Sequence, residues 1–156
     1  MPLPDLTVRC AKPSDLPDIL SMIKALSAFH GDTASVTLSA LQEIFFGPAD
    51  QGHALIACQH GTPLGYAGLT PTTVLHEGKI RLDIHHLYVS EPARSQGVGT
   101  ALIAAAKRHA IASGATRLTI GTDPGNATAI AAYRAMPALS EITGAGPRFA
   151  INLGAP

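Results

Sequence analysis

Between His53 and Val89 three extended segments follow one another with only short turns between them. No other feature constrains the fold of this chain as tightly. Parallel strands need a crossover of about a dozen residues or more, so strands joined this closely must pair antiparallel. The first segment is HALIACQ, His53 to Gln59, and the turn His60-Gly61-Thr62-Pro63 follows it. The second runs from Leu64 to Leu75, with Gly65, Gly68 and Pro71 inside it. The third runs from Lys79 to Val89. Proline cannot donate to a sheet ladder, so Pro71 marks an irregularity or an edge. The period then changes. Gly97 to Ser113 has helical spacing, Gly114 suits the left-handed residue that ends a helix, and Arg117 to Gly121 is a short apolar strand.

The flanks complete the pattern. Leu6 to Cys10 alternates as a first strand. Ser14 is placed to cap a helix that carries Leu16, Ile19, Leu20, Ile23 and Leu26 and ends near Phe29, with Pro17 in its first turn. Thr37 caps a second helix with the stripe Leu38, Leu41, Ile44 and Phe45, and Gly47-Pro48 stops it. Asn126 caps a last helix to about Arg134, which Pro137 keeps from continuing. Leu139 to Thr143 and Arg148 to Leu153 read as a terminal hairpin around Gly144 and Gly146. The order β-α-α-β-β-β-α-β-α-β-β predicts an α/β (α+β) fold. Its sheet should be mixed, mostly antiparallel and twisted, with six to seven strands and about four helices on its two faces. A length of 156 residues suits one domain, 1–156.

Eleven basic and eleven acidic residues cancel, and no basic tract appears, which speaks against nucleic acid or an anionic membrane as partner. Cys10 and Cys58 are the only cysteines, read as reduced and structural, and no Cys/His spacing suggests a metal. The start MPLPDLTVRC lacks a basic region followed by an apolar one, and no apolar run approaches the ~18 residues of a membrane span. A cytoplasmic location is expected.

The chemistry concentrates at Arg94-Ser95-Gln96-Gly97-Val98-Gly99-Thr100, between a strand and a helix. Free N–H groups at a helix start attract anions, and glycines allow close approach. Arg94 adds a charge-assisted contact and Thr100 a hydroxyl. A Walker A loop would need a lysine that is not in place, and a dinucleotide fingerprint would need a third glycine inside a βαβ unit. Close helix packing is the alternative role for Gly97 and Gly99.

The chain resembles the GCN5-related N-acetyltransferase superfamily. Arg94-x-x-Gly97-x-Gly99 matches that family's acyl-coenzyme-A signature (Arg/Gln)-x-x-Gly-x-(Gly/Ala), and Asn126, Ala129 and Tyr133 match its asparagine-alanine-tyrosine element. The order of elements agrees from about Leu6 to Leu153. After Tyr133 the sequence RAMPALSE departs from a Gly-Phe-ending turn common among relatives, so the acceptor side of the pocket is expected to differ.

The resemblance implies the acyl-CoA N-acyltransferase fold and acetyl-CoA as cosubstrate, with no metal. Acetyl-CoA would lie between the strand ending at Leu87-Tyr88-Val89 and the strand at Arg117 to Gly121. The backbone of Leu87 and Val89 would pair with its pantetheine arm. Gln96, Gly97, Val98, Gly99 and Thr100 would meet its pyrophosphate beside Arg94. Asn126 caps its helix and could reach the cofactor arm. Tyr133, with a phenol pKa ordinarily about 10, is the acid for the departing thiolate; its alternative role is packing.

The proton acceptor implied by resemblance is His85, with His86, Asp83 and Glu77 as further candidates and a water relay as the remaining route. Plain alternation puts Asp83, His85, Leu87 and Val89 on one face and Ile84, His86 and Tyr88 on the other, and a bulge would shift that phase. His30, Asp32 and Glu43 either border the acceptor pocket or lie on the surface. Tyr66 and Phe29 either line it or fill the core. His53, His60, His76 and His109 read as surface or helix-face residues. The expected activity is acetyl transfer to a small-molecule amine by direct attack in a ternary complex. A non-catalytic acyl-CoA sensor and a protein or peptide N-acetyltransferase are the alternatives. A homodimer through the C-terminal strands is open to the chain.

Overall fold

The structure is a computed structural model and describes residues 2–144 and 146–154. The chain divides into two compact units, Met1–Gly121 and Thr122–Pro156. The first holds strands β1 (Leu6–Cys10), β2 (His53–Gln59), β3 (Thr62–Val74), β4 (Lys79–Val89) and β5 (Leu118–Ile120), with helices α1 (Leu16–Phe29), α2 (Leu38–Phe46) and α3 (Val98–Ala112). The second holds α4 (Ala127–Arg134).

The meander forms as its short turns require. The sheet order is β1-β2-β3-β4-β5, antiparallel throughout except for the parallel pair β4–β5 that α3 connects. β2 pairs with β3 only as far as Leu69, so Pro71 lies where β3 has β4 as its single neighbour and needs no donor on the other side.

The sheet has two working faces. Ala54 and Tyr66 join Leu16, Ile19, Met22, Ile23 and Leu41 in one core cluster, which places α1 and α2 on the Tyr66 face. Gly65 points the other way: a Cβ there would stand 3.4 Å from Leu102 of α3 and 2.5 Å from the Tyr88 carbonyl oxygen. Glycine at this position lets α3 and the neighbouring strand close on β3. Thr37 caps α2 by accepting from the Ala40 N–H at 3.1 Å, and Gly114 takes φ +74° just beyond α3, both as the sequence predicts.

Three expectations are corrected. Ser14 does not cap α1. It lies in a 3₁₀ turn, Pro13–Asp15, because the Asp15 carboxylate turns back to accept the Lys12 N–H at 2.7 Å and both Arg9 Nη groups at 2.7 and 3.0 Å. The sheet has five strands instead of six to seven: neither Leu139 to Thr143 nor Arg148 to Leu153 forms a strand among the described residues. The alternation of Phe149, Ile151 and Leu153 is real, but these side chains are 93%, 87% and 92% exposed and have nothing to pack against among the described residues. A hairpin with no partner is marginal in water. The phase of β4 also breaks, as described below.

Both cysteines are free. Cys10 is exposed and Cys58 is buried, and burial pushes the Cys58 thiol up. No helix among the described residues is long and apolar enough to cross a membrane.

Candidate active site

The site is built where β4 loses its partner. β5 pairs only with Leu82, Asp83 and Ile84 of β4. From His85 to Val89, β4 has no strand on that side among the described residues. An amide-rich chain can add itself to such an edge. Leu87 and Val89, the predicted backbone partners, lie on this free stretch, paired to Ala67 and Gly65 on the opposite side.

The glycine turn stands at the end of that edge. Gly97 takes φ +84°, which glycine reaches without penalty, and Ser95 takes φ +60°. Among the described residues no side chain caps α3, so its first N–H groups, at Val98, Gly99 and Thr100, lack the partner that most helix starts have. Gly97, Gly99 and Gln96 are half-buried, Thr100 is exposed, and the Val98 side chain is buried in the core. Only the Val98 backbone is therefore available to a ligand. The nearest atom to a Cβ on Gly99 would be Val89 Cγ2 at 3.8 Å, so the surface over Gly99 is open. Gln96 Nε2 donates to the Pro92 carbonyl at 2.7 Å and braces the turn.

Arg94 Nε donates to the Val89 carbonyl at 3.0 Å, and its guanidinium carbon sits 5.7 Å from the centroid of the Phe29 ring. Phe29, at the end of α1, is 63% exposed and so does not fill the core; His30 stands edge-on to it. The geometry suits a pyrophosphate: uncapped N–H groups, an open glycine surface and a guanidinium tethered by one nitrogen, with its two Nη groups free of protein partners among the described residues.

The β4 histidines are set by a bulge. Gly68 pairs with His86 and Leu69 with Ile84, so His85 is the extra residue. The simple alternation is thereby corrected. Asp83, His86 and Tyr88 share the Tyr66 face, while Ile84, Leu87 and Val89 share the face of α3. The bulge also brings the rings of His85 and His86 into a stack, centroids 5.0 Å apart and tilted by 17°.

His85 is exposed, with Nδ1 3.9 Å from Asp83 Oδ2. Asp83 Oδ1 accepts from the Thr119 hydroxyl of β5 at 2.7 Å, which fixes the carboxylate across the two parallel strands. His86 is half-buried. Its Nδ1 is hydrogen-bonded to the Tyr66 hydroxyl, and burial, with His85 and His30 nearby, holds its imidazole below the ordinary range.

Other candidates fall elsewhere. Glu77 sits on the turn between β3 and β4, paired with Arg81 at 2.6 Å, and Asp32 accepts the Thr33 N–H at 2.7 Å. Asp32 and Glu43 are exposed. His60 and His76 are surface residues, whereas His53 and His109 are half-buried, with their rings 4.6 Å apart. Among the described residues no three His, Cys, Asp or Glu side chains gather as a metal site.

In the second unit, Asn126 Oδ1 accepts the Ala129 N–H at 3.1 Å and caps α4. Tyr133 lies in the last turn of that helix, half-buried, and burial pushes its phenol up. It therefore holds its proton through the neutral range. Two features were not found from sequence. The Arg9–Asp15 pair gave no motif, and the Tyr66–His86 contact depends on a register that only pairing fixes.

The acetyltransferase (GNAT) family model matches residues 20–136. The chain belongs to this family and is an acetyltransferase by that membership. No curated protein sequence is significantly similar to it. Among solved structures it is similar to an aminoglycoside acetyltransferase from an uncultured soil metagenomic sample, in complex with sisomicin. That match has 17% identity and a TM-score of 0.79 over 95% of this chain and 97% of the other. It is also similar to a probable acetyltransferase, at 20% identity and a TM-score of 0.78 over 94% and 98%. The ribosomal-protein-alanine N-acetyltransferase of Brucella melitensis biovar Abortus 2308 follows at 15% identity and a TM-score of 0.69 over 93% and 99%. At these identities the likeness is one of fold, and the fold is the acyl-CoA N-acyltransferase fold.

Proposed function

We propose that this chain, as a single domain, transfers the acetyl group of acetyl-CoA to the amine of a small molecule by direct attack in a ternary complex. One observation carries the cofactor half: the free edge of β4 from His85 to Val89 runs into an α3 N-terminus with no side-chain cap. The first offers an edge to an amide-rich arm, and the second offers N–H groups to a pyrophosphate. Arg94 adds positive charge beside them. Acetyl-CoA supplies an activated acyl carbon and a thiolate leaving group.

The chain's own residues then handle protons. Thr119 orients Asp83, and Asp83 lies beside His85, which takes the proton of the incoming ammonium directly or through water. Tyr133, protonated at neutral pH, donates to the departing sulfur. The small-molecule acceptor is supported by the fold shared with an aminoglycoside acetyltransferase crystallised with sisomicin. A cytoplasmic location and a homodimer complete the reading, the latter supported by the exposed apolar side chains of Phe149, Ile151 and Leu153.

Calorimetric titration with acetyl-CoA, followed by thiol release across an amine library, tests the proposal. One-to-one binding and amine-dependent release are expected. Tyr133→Phe should keep that binding and lose about a hundredfold in turnover. No heat at high micromolar acetyl-CoA would remove the cofactor assignment. Binding without release on any amine would favour the sensor reading.

A further inference from the structure

The hydrogen bond between Tyr66 and His86 is not used in the scheme above, and its construction is specific. Tyr66 on β3 is opposite Tyr88, and Gly68 is opposite His86, so Tyr66 reaches His86 along the diagonal of the ladder. Gly68 leaves the room. A Cβ there would stand 3.4 Å from Tyr66 Cε2, 3.8 Å from the Tyr66 hydroxyl and 3.6 Å from His86 Cβ. The tyrosine ring lies in that space, fully buried, edge-on to the imidazole with centroids 6.1 Å apart.

Proton accounting fixes what this contact means. The Tyr66 side chain is buried, and its hydroxyl has one hydrogen-bond partner among the described residues, His86 Nδ1. A buried hydroxyl that does not donate leaves an unsatisfied proton. Tyr66 O–H therefore donates to Nδ1, Nδ1 carries no proton, and the proton of the neutral ring sits on Nε2. Protonating His86 would turn Nδ1 into a donor and strand the tyrosine proton. The stacked ring of His85 and the nearby His30 oppose a second positive charge in the same place.

We infer that Tyr66 is a positioning residue that locks His86 as a neutral imidazole with its proton on Nε2, so that His86 serves the site as a hydrogen-bond donor and leaves proton removal to His85. Two adjacent histidines on one strand thus have separate roles. His85 is exposed beside Asp83. His86 cannot accept a proton without reversing the Tyr66 contact and leaving the tyrosine proton without an acceptor. The tautomer stands on the structure alone; the division of labour rests on the acetyltransferase reading above.

The experiment is long-range ¹H–¹⁵N correlation on the uniformly ¹⁵N-labelled full chain through a pH titration, with His86→Gln used to assign the ring. The expected wild-type spectrum shows His86 in the Nε2–H form at pH 7.5 and titrating below the ordinary imidazole value of about 6.5. Tyr66→Phe should mix the two tautomers and raise the His86 midpoint by about half a unit or more, because the bond that favoured the neutral ring is gone. A wild-type ring protonated on Nδ1 overturns the inference without any variant. An unchanged tautomer and midpoint in folded Tyr66→Phe also overturns it. Neither readout involves acetyl-CoA, so failure here is distinct from failure of the titration that tests the enzyme reading.

Discussion

Asp15 is the residue whose charge state matters most to the fold. It is the one buried charged side chain among the described residues, and it accepts from Arg9 twice and from the Lys12 N–H. The bond from Arg9 first, then the Lys12 N–H, hold its carboxyl below the usual carboxylate range against the opposing effect of burial. The sign follows from linkage. A depressed folded-state pKa means the stabilisation is fully present above the unfolded value of about 3.9 and is lost as pH falls through the lower folded value. Asp15→Ala should cost about 2 kcal/mol at pH 7, on the scale of hydrogen bonds to a charged group, and much less near pH 2. Urea unfolding at the two pH values measures both numbers. An equal loss at both would mean that the carboxylate charge contributes nothing. In the sequence Asp15 is simply the acidic residue that follows Ser14. Its partner Arg9 lies on β1, and only folding brings the two together.

At the scale of elements, the glycine turn separates two roles that the motif alone combines. Gly97 is held at φ +84°, and a Cβ there would approach the Pro2 backbone at 3.4 Å. Gly99 lies inside α3, with 3.8 Å of clearance. Gly97→Ala should therefore lower stability by about 1–2 kcal/mol, the cost of a left-handed backbone at a residue with a side chain. Gly99→Ala should leave stability unchanged or raise it by up to ~1 kcal/mol through helix propensity. Gly99→Ala places a methyl on the open surface and Gly97→Ala strains the turn against Pro2, and both should weaken acetyl-CoA binding. Chemical denaturation beside calorimetry separates the effects, and equal destabilisation by both would refute the distinction. The helices, the meander and this turn were legible because periodicity and capping are local. The bulge at His85 was not, because it depends on which residue of β3 faces which residue of β4.

For the molecule as a whole, the order of elements could be read from sequence as far as Arg134, and the terminal hairpin could not. Alternation at Phe149, Ile151 and Leu153 records a preference for an extended form with one apolar face. Whether that face is buried depends on a partner, which no local pattern specifies. The proposed homodimer gives it one. Sedimentation velocity should show a dimer that Phe149→Ser, Ile151→Ser and Leu153→Ser together convert to monomer, with acetyl-CoA binding retained. A wild-type monomer at tens of micromolar would remove the dimer from the reading.

The extra residue in β4 has a consequence for how this family member can change. Up to Ile84 the odd-numbered positions share the Tyr66 face; beyond His85 the even-numbered ones do, so one inserted residue changes the count while both faces of the strand stay continuous. On the function proposed above, substitutions at Asp83, His85 or His86 should alter what the enzyme accepts while Leu82 and Ile84 stay as they are. Deleting His85 would remove the bulge and leave His86 on the Tyr66 face and Leu87 on the face of α3, taking away only the exposed ring beside Asp83. Divergence in this strand can therefore exchange or drop the bulged residue while the packing on both faces is kept.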